Sequence, residues 1–488
     1  MIKQAAALRH AVRIRVILKY FGQLCLVLAV LTLVPLSVSL VFQDTESSVR
    51  YILVIVSLVG LGGFLSRLTI PVRVQMNEGM VLVSMMFLFT PLVMSYPMMA
   101  SGLSFQDALF EAISGGTTTG LSTLSTLEGT PSTFLFARSW MQWYGGLGIV
   151  VLSLALVAEP GLVAKGLSAS EADQEDLVGG TKKHTKRVLI VYGGLTGFGI
   201  IGLWLLGVDP FSSMLYTFAA VSTGGFAPHD GSLAGLHSWT AQAWVIGSCV
   251  LGAVPLAFYH VMSQRKRPPT MQIVQLRAFL ISGMLVSLLL GWCLWQSNIL
   301  SFSDSLRSAP LMAFSAQSTA GFAIHNLSDY DPGSKLTLIM AMMIGGGTGS
   351  TAGGFKILRL LIFLRLLQIV ILRICVPRHT VLEPRIHGER LSNSQIREAL
   401  ILIVLFGVVI LFSWFPFVMM GYDPLDALFE VVSATGTAGL SVGITSADLP
   451  EVLKAILCAD MLLGRLEILA WLVLFFPGTW IGRRSEER

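Results

Sequence analysis

DALFEAISGGTTTGLS, residues 107–122, decides the fold, because related segments return three more times. They read SSMLYTFAAVSTGGFA (212–227), SAPLMAFSAQSTAGFA (308–323) and DALFEVVSATGTAGLS (426–441). One glycine aligns all four copies: Gly120, Gly225, Gly321 and Gly439. Two positions earlier stands Thr118, Thr223, Thr319 or Thr437, and Leu or Phe follows each glycine. A lone T-x-G carries no information, since both residues are common in surface turns. Four copies, each after a short apolar helix-forming stretch and before a long one, are an internal repeat.

Each copy opens with about eleven residues of helix-forming character, roughly 16 Å long and half the thickness of a membrane. Such a helix enters and turns back. The non-helical backbone after it is tolerated at membrane depth only inside protein or along a water-filled cavity. The inward C-terminal ends carry about −0.5 charge each and favour a cation. Asp107 and Asp426 are expected as N-caps at the opposite ends. Glycine tolerates positive φ, so successive carbonyls can face one axis. Rings of backbone carbonyls replace the hydration shell of K+. The expected ion-binding residues are Thr117, Thr118 and Gly120; Ser222, Thr223 and Gly225; Ser318, Thr319 and Gly321; and Gly436, Thr437 and Gly439. K+ is expected at the threonine and aligned glycine of each copy.

Composition agrees. Of 488 residues, 54% are hydrophobic and 12% charged, where a soluble domain carries roughly 25% charge. A net charge of +5 does not point to nucleic acid. Cys25, Cys249, Cys293, Cys375 and Cys458 lie singly in or beside apolar runs and read as buried hydrophobes. About ten apolar stretches reach spanning length, near 17–42, 51–70, 79–99, 134–157, 187–207, 239–262, 274–296, 335–372, 396–420 and 452–477. The first is too long for a signal-peptide core and is expected to be retained. Basic connections alternate with acidic ones. The basic set holds Lys3, Arg9, Arg13, Arg15 and Lys19; Arg67 and Arg73; Lys165, Lys182, Lys183, Lys186 and Arg187; Arg265, Lys266, Arg267 and Arg277; Arg373, Arg378, Arg385, Arg390 and Arg397; and Arg483 and Arg484. The positive-inside rule makes these connections and both termini cytoplasmic, with 158–186 and 373–395 as loops.

On these repeats the chain resembles the Trk/Ktr/HKT superfamily of potassium transporters, most closely the TrkH-type membrane subunit. The resemblance covers nearly the whole chain. It implies an all-α polytopic inner-membrane protein with four pseudo-symmetric helix–pore loop–helix units around one pore. The expected divisions are 1–75 for two leading helices and 76–165, 166–267, 268–380 and 381–488 for the units. It implies one selectivity-filter glycine per loop. Serine in the first loop favours Na+ in such proteins, and Gly120 stands there instead. The loops lack the full T-V-G-Y-G of tetrameric channels. The resemblance further implies a homodimer on a cytoplasmic TrkA-like ring of nucleotide-binding regulatory subunits, within membrane lipid. No cofactor is expected in this chain, K+ being the transported ion.

GGGTGSTAGGFK (345–356) interrupts the second helix of the third unit. A glycine costs a helix about 1 kcal/mol relative to alanine, so the run should unwind it. Close helix packing through small residues is the other reading. A phosphate-binding loop fails on context, because the run lies inside a span. The resemblance implies an intramembrane gate formed by Gly345, Gly346, Gly347, Thr348, Gly349, Ser350, Gly353, Gly354 and Lys356, contacted by Arg465. Arg465 and Glu467 sit mid-span in MLLGRLEIL, where charges are functional or paired with each other. Lys356 reads equally as a side chain reaching the inner interface. Glu111 and Glu430, within the pore helices, are expected to brace the loops structurally. His229 and His325, four residues after their glycines, are expected at the mouth. Two functions stay open: K+ uptake through a gated, channel-like pore, and secondary transport of K+ coupled to H+ or Na+. No hydrolase or cofactor motif supports an enzyme.

Overall fold

Two long apolar helices open the chain, α1 (Ile14–Val41) and α2 (Thr45–Ser66). Asp44 closes the turn between them by accepting the Ser47 amide at 3.1 Å. The pair packs through glycine. A Cβ on Gly62 would fall 2.7 Å from the Gly22 carbonyl oxygen, so only hydrogen lets these backbones approach. The computed structural model describes residues 11–69, 75–158, 171–263, 268–377 and 382–481. Lys3, Arg9, Arg73, Lys165, Arg265, Lys266, Arg267, Arg378, Arg483 and Arg484 of the basic connections lie outside the described residues.

Four units follow, each with a short helix between longer ones. The first holds α3 (Met76–Met98), α4 (Phe105–Gly116) and α5 (Ser132–Ala158). The second holds α6 (Glu171–Leu205), α7 (Pro210–Val221), α8 (Trp239–Gly252) and α9 (Leu256–Ser263). The third holds α10 (Thr270–Gln296), α11 (Phe302–Gln317), α12 (Pro332–Ile344) and α13 (Ile357–Cys375). The last holds α14 (Asn393–Met419), α15 (Pro424–Thr435), α16 (Glu451–Arg465), α17 (Leu469–Phe475) and α18 (Pro477–Trp480). A two-stranded antiparallel hairpin, β1 (Arg385–Ile386) and β2 (Glu389–Arg390), lies between α13 and α14.

Among the described residues six helices are long and apolar enough to cross a membrane, seven with a bent pair, beside shorter apolar helices such as α12. Three expectations are corrected. The second helix is broken in three units, not only in the third. α8 and α9 meet at 87° around Ala253–Pro255, where Pro255 cannot donate to a helical ladder. α16 ends at Arg465, and Glu467 and Ile468 adopt positive φ of 57° and 61° before α17 starts. Residues 171–186 are helical, the start of α6, rather than loop. Cys375 is exposed, unlike the buried Cys25 and Cys249.

The units close into a circle. Each second helix packs on the short helix of the next unit: α5 on α7, α8 on α11, α12 on α15, and α16 back on α4. Glycine permits three of these units a further contact at their centre. A Cβ on Gly145, Gly252 or Gly464 would collide with the last carbonyl of its own short helix, that of Gly116, Val221 or Thr435. The largest apolar cluster joins Phe110 of α4, Met312 of α11, Met342 of α12, Phe429 of α15 and Met461 of α16. Gly464→Ala is therefore expected to lower the thermal unfolding midpoint of detergent-solubilised protein, at a cost of about 1–3 kcal/mol for overpacking. Gly407→Ala, inside α14 where a Cβ meets nothing within 4 Å, is the matched control and should not lower the midpoint, alanine being the better helix former.

Candidate functional site: a ring of four glycines

The short helices are fixed at both ends. Their N-caps are Ser104, Asp209, Ser301 and Asp423, each side chain accepting a first-turn amide. This corrects the expectation for Asp107 and Asp426, which stand in the first turn, three residues past the caps. Freed from capping, both pair across unit boundaries. Lys454 of α16 reaches Asp107 at 2.6 Å, and Lys335 of α12 reaches Asp426 at 2.6 Å. Neither lysine stood out in the sequence, since each is a single cation beside an apolar stretch.

Each C-terminus ends in the same two crossed hydrogen bonds. Thr118 N donates to Gly115 O at 3.0 Å and Thr119 N to Ser114 O at 2.9 Å. Thr223 and Gly224, Thr319 and Ala320, and Thr437 and Ala438 repeat the pattern at 2.7–3.1 Å. This termination calls for a left-handed residue, ordinarily glycine. Here a threonine occupies it every time, with φ of 53°, 54°, 54° and 48°. Such a conformation costs a β-branched residue about 1–3 kcal/mol, and strain of this kind gathers at functional sites. The hydroxyls of Thr117 and Ser222 return to their own helices, to Ile113 O and Phe218 O at 2.7 Å. Ser318 does the same to Ser315 O at 3.3 Å. Those three hydroxyls are occupied, whereas Thr118 Oγ1 and Thr437 Oγ1 are buried without a partner among the described residues.

Two residues on, the four glycines meet. Their φ values are 94°, 81°, 71° and 83° for Gly120, Gly225, Gly321 and Gly439. A Cβ on Gly120 would collide with Gly224 O, one on Gly225 with Ala320 O, one on Gly321 with Ala438 O, and one on Gly439 with Thr119 O. Each glycine therefore abuts the carbonyl preceding the next, and the fourth returns to the first. The ring is made of main chain, with no room for any side chain at those positions.

Outside the ring, the residue nine positions before each glycine braces the emerging strand. Glu111 accepts Thr123 N at 3.0 Å and the Ser122 hydroxyl at 2.6 Å, and its second oxygen pairs with Arg138 at 2.8 Å. Glu430 accepts Val442 N at 2.9 Å and the hydroxyls of Ser441 and Thr445 at 2.5 and 2.7 Å. Met312 offers its sulfur to Ile324 N at 3.3 Å. In the second unit the corresponding position is Pro228, which has no N–H. Tyr216 instead donates to Ser232 O at 2.7 Å. That turn in turn holds the third unit's strand, through Leu233 N to Ala323 O at 2.9 Å.

Beneath the ring lies the glycine run. Gly353 N donates to Thr319 Oγ1 at 2.7 Å, and Gly354 N to Gly436 O at 3.0 Å. Thr351 Oγ1 donates between Val221 O and Gly252 O, at 3.1 and 3.0 Å. Gly347 N reaches Ala253 O at 3.1 Å, Thr348 N reaches Gln275 Oε1 at 3.0 Å, and Ser350 Oγ returns to Gly347 O at 2.7 Å. Gly345, Gly349 and Gly354 take positive φ, and a Cβ on Gly346 would fall 2.6 Å from that of Ala352. Arg465, 3% exposed, donates to Thr351 O at 2.7 Å, and among the described residues no carboxylate pairs with it. The expected alternative pairing of Arg465 with Glu467 is not formed. Glu467 is held by Arg359 and by Lys356 at 3.3 Å. Lys356 is thus buried in an ion pair rather than reaching the interface. At the mouth His229 is exposed. His325 is half-buried, and burial holds its imidazole below the ordinary value against the opposing pull of Asp304.

A main-chain ring at the centre of an all-helical polytopic protein defines an integral membrane transporter of ions. The family profile TrkH, cation transport protein, matches residues 46–478, and the chain belongs to that family, one of transporters rather than enzymes. It is 30% identical over 462 residues to the uncharacterized cation transporter MJ1485 of Methanocaldococcus jannaschii, covering 94% of each chain. It is 26% identical to the Trk system potassium uptake protein TrkG of Escherichia coli, over 96% of this chain and 99% of that one. The crystal structure of the potassium transporter TrkH from Vibrio parahaemolyticus shares its fold, with a TM-score of 0.85 at 24% identity. The match covers 96% of this chain and 100% of that one.

The ion pairs between units are half the seam of the circle. Lys454→Met should destabilise the solubilised protein by about 1–3 kcal/mol, because it leaves Asp107 partly buried and unpaired. Asp107→Asn in the same chain should recover part of that loss, a coupling read from a double-mutant cycle of thermal melts.

Proposed function

We propose that the chain carries potassium ions into the cell through one gated, channel-like pore, with the glycine ring as its selectivity filter. The observation that supports this is the closed sequence of glycine–carbonyl contacts, Gly120 to Gly225 to Gly321 to Gly439 and back. Main-chain oxygens arranged around a common axis at membrane depth replace water around a dehydrated K+. Four helix C-termini add a negative potential there. Thr118 and Thr437, with hydroxyls that no described residue uses, are suited to a further layer of ligands. The potassium uptake named for the Escherichia coli relative fits the same reading.

On this reading the structure is closed. The run 345–356 is tied to threonine and carbonyl groups on the inner side of the filter, and Arg465 adds an uncompensated cation beside it. The units are the four divisions 76–165, 166–267, 268–380 and 381–488, after a two-helix lead of 1–75. The protein works in the inner membrane with both termini in the cytoplasm, as a homodimer on a nucleotide-binding regulatory ring. Its basic cytoplasmic connections suit that docking.

Uptake by a K+-deficient host tests the filter. Gly→Ser at positions 120, 225, 321 and 439 should each lower K+ affinity and K+/Na+ discrimination, since each side chain displaces a neighbouring carbonyl. Wild-type affinity in all four variants would refute the assignment. Arg465→Ala should raise flux in the absence of activating partner, measured as 86Rb+ uptake into proteoliposomes. Flux that follows the K+ gradient alone, at fixed H+ and Na+, supports the channel. Obligatory dependence on a second ion supports coupled transport instead.

A further inference from the structure

The four loops of the ring match in backbone, but in one of them a single side chain bonds the main chain on both sides of the glycine. Gln142 of α5 is fully buried. Its Nε2 donates to Gly224 O at 2.5 Å, and its Oε1 accepts Phe226 N at 3.1 Å. The two bonds flank Gly225, one on each side. They also fix which way the carboxamide faces, since a carbonyl needs the donor and an amide N–H the acceptor. Gly224 O is the very oxygen that abuts Gly120.

No other loop is bonded on both sides of its glycine by one side chain among the described residues; single bonds stand there instead, Ser114 Oγ accepting Gly120 N at 3.0 Å and Ser315 Oγ donating to Phe322 O at 2.6 Å. Gln142 stands three residues before Gly145, the glycine that packs on the short helix of its own unit. The residues three before Gly252 and Gly464 are Cys249 and Met461, both buried and neither able to clasp a peptide in this way. Thr119 O, Ala320 O and Ala438 O accept no side-chain bond among the described residues, while Gly224 O accepts the Gln142 N–H. The ring is fourfold in shape and unequal in chemistry.

We propose that Gln142 is a specificity-determining positioning residue: it sets the reach of the second loop's carbonyl and thereby the discrimination between K+ and Na+. The proposal rests on the glycine ring being the selectivity filter. Na+ is smaller than K+ and is favoured when ring oxygens are free to close in. A carbonyl tethered from outside the ring cannot follow the smaller ion. The tether crosses a unit boundary, from the first unit to the loop of the second, so it also fixes the position of one loop against the next.

The test uses the full chain in proteoliposomes, with the K+/Na+ permeability ratio as readout. Gln142→Met removes both bonds at similar length. Gln142→Glu keeps the acceptor for Phe226 N but sets a carboxylate oxygen against Gly224 O. Both should lower the ratio about five-fold, the factor equivalent to one net hydrogen bond, at unchanged yield of assembled protein. Gly225→Ser runs beside them. A wild-type ratio in both Gln142 variants, with an altered one in Gly225→Ser, overturns the role of Gln142 and leaves the filter standing. A wild-type ratio in Gly225→Ser as well overturns the filter and this inference together. Reduced flux at an unchanged ratio, or failure of both Gln142 variants to assemble, assigns Gln142 to packing alone and overturns the proposal.

Discussion

Everything in this molecule is subordinate to one steric fact: four glycine α-carbons touch four carbonyl oxygens in a closed circle. No other residue fits, because a Cβ at any of the four would occupy the oxygen's position. A contact of that closeness tolerates displacements of only a few tenths of an ångström. The supports around it are correspondingly redundant. Crossed hydrogen bonds end each short helix, a brace holds each emerging strand, and a neighbouring helix from the preceding unit backs each short helix. The strained threonines belong to the same account. A left-handed β-branched residue persists only where its surroundings over-determine it, and here both flanking turns are fixed.

One chain folded four times frees the copies to differ, as identical subunits cannot. The difference is systematic. In the first and last units a buried glutamate accepts from its own strand. In the middle units a tyrosine and a methionine stand at that place. The reason is local: Pro228 has no N–H to offer, so a carboxylate at position 216 would be buried without its partner, a costly arrangement at this depth. Tyrosine supplies a donor instead, and its acceptor belongs to the turn that steadies the third strand. At these braces the middle units are joined to each other, whereas Glu111 and Glu430 each hold a strand of their own unit. The third unit, with sulfur as a weak acceptor at its brace, is also the unit whose second helix unwinds beneath the ring.

The architecture was legible from residue patterns to the extent that backbone chemistry left a mark. Repetition of T-x-G exposed the four loops, and the glycine run exposed the break in the third unit. The break at 253–255 had a weaker sign, one proline after a glycine. The break after Arg465 had none: Glu467 and Ile468 are ordinary helix residues in left-handed conformation, set there by tertiary contacts. The repeated aspartate of D-A-L-F-E is a first-turn residue, and the caps stand three residues earlier, at Ser104 and Asp423, where the two copies share no residue type. Gln142, Lys335 and Lys454 were illegible for another reason. Each acts on a different unit from its own, and no local spacing encodes a partner that distant in sequence.

Beneath the ring the glycine run is held by many bonds at once. Hydrogen bonds tie residues 347–354 to the second, third and fourth units, and Arg465 adds one more. At about 1 kcal/mol net for each such bond, together they exceed thermal energy several-fold, so the loop is in place nearly all of the time. Charge acts in the same direction. Lys356 and Arg359 converge on the single carboxylate of Glu467, and among the described residues Arg465 has no carboxylate, leaving an excess of positive charge beneath the ring. Yet the same residues supply the lever. Lys356 ends the loop and begins α13, so any shift of α13 along its axis is transmitted to Gly353 and Gly354 without passing through a flexible linker. A loop bonded to three units but continuous with one helix is held by many weak contacts and reached through one continuous chain, an arrangement that suits the proposed gate.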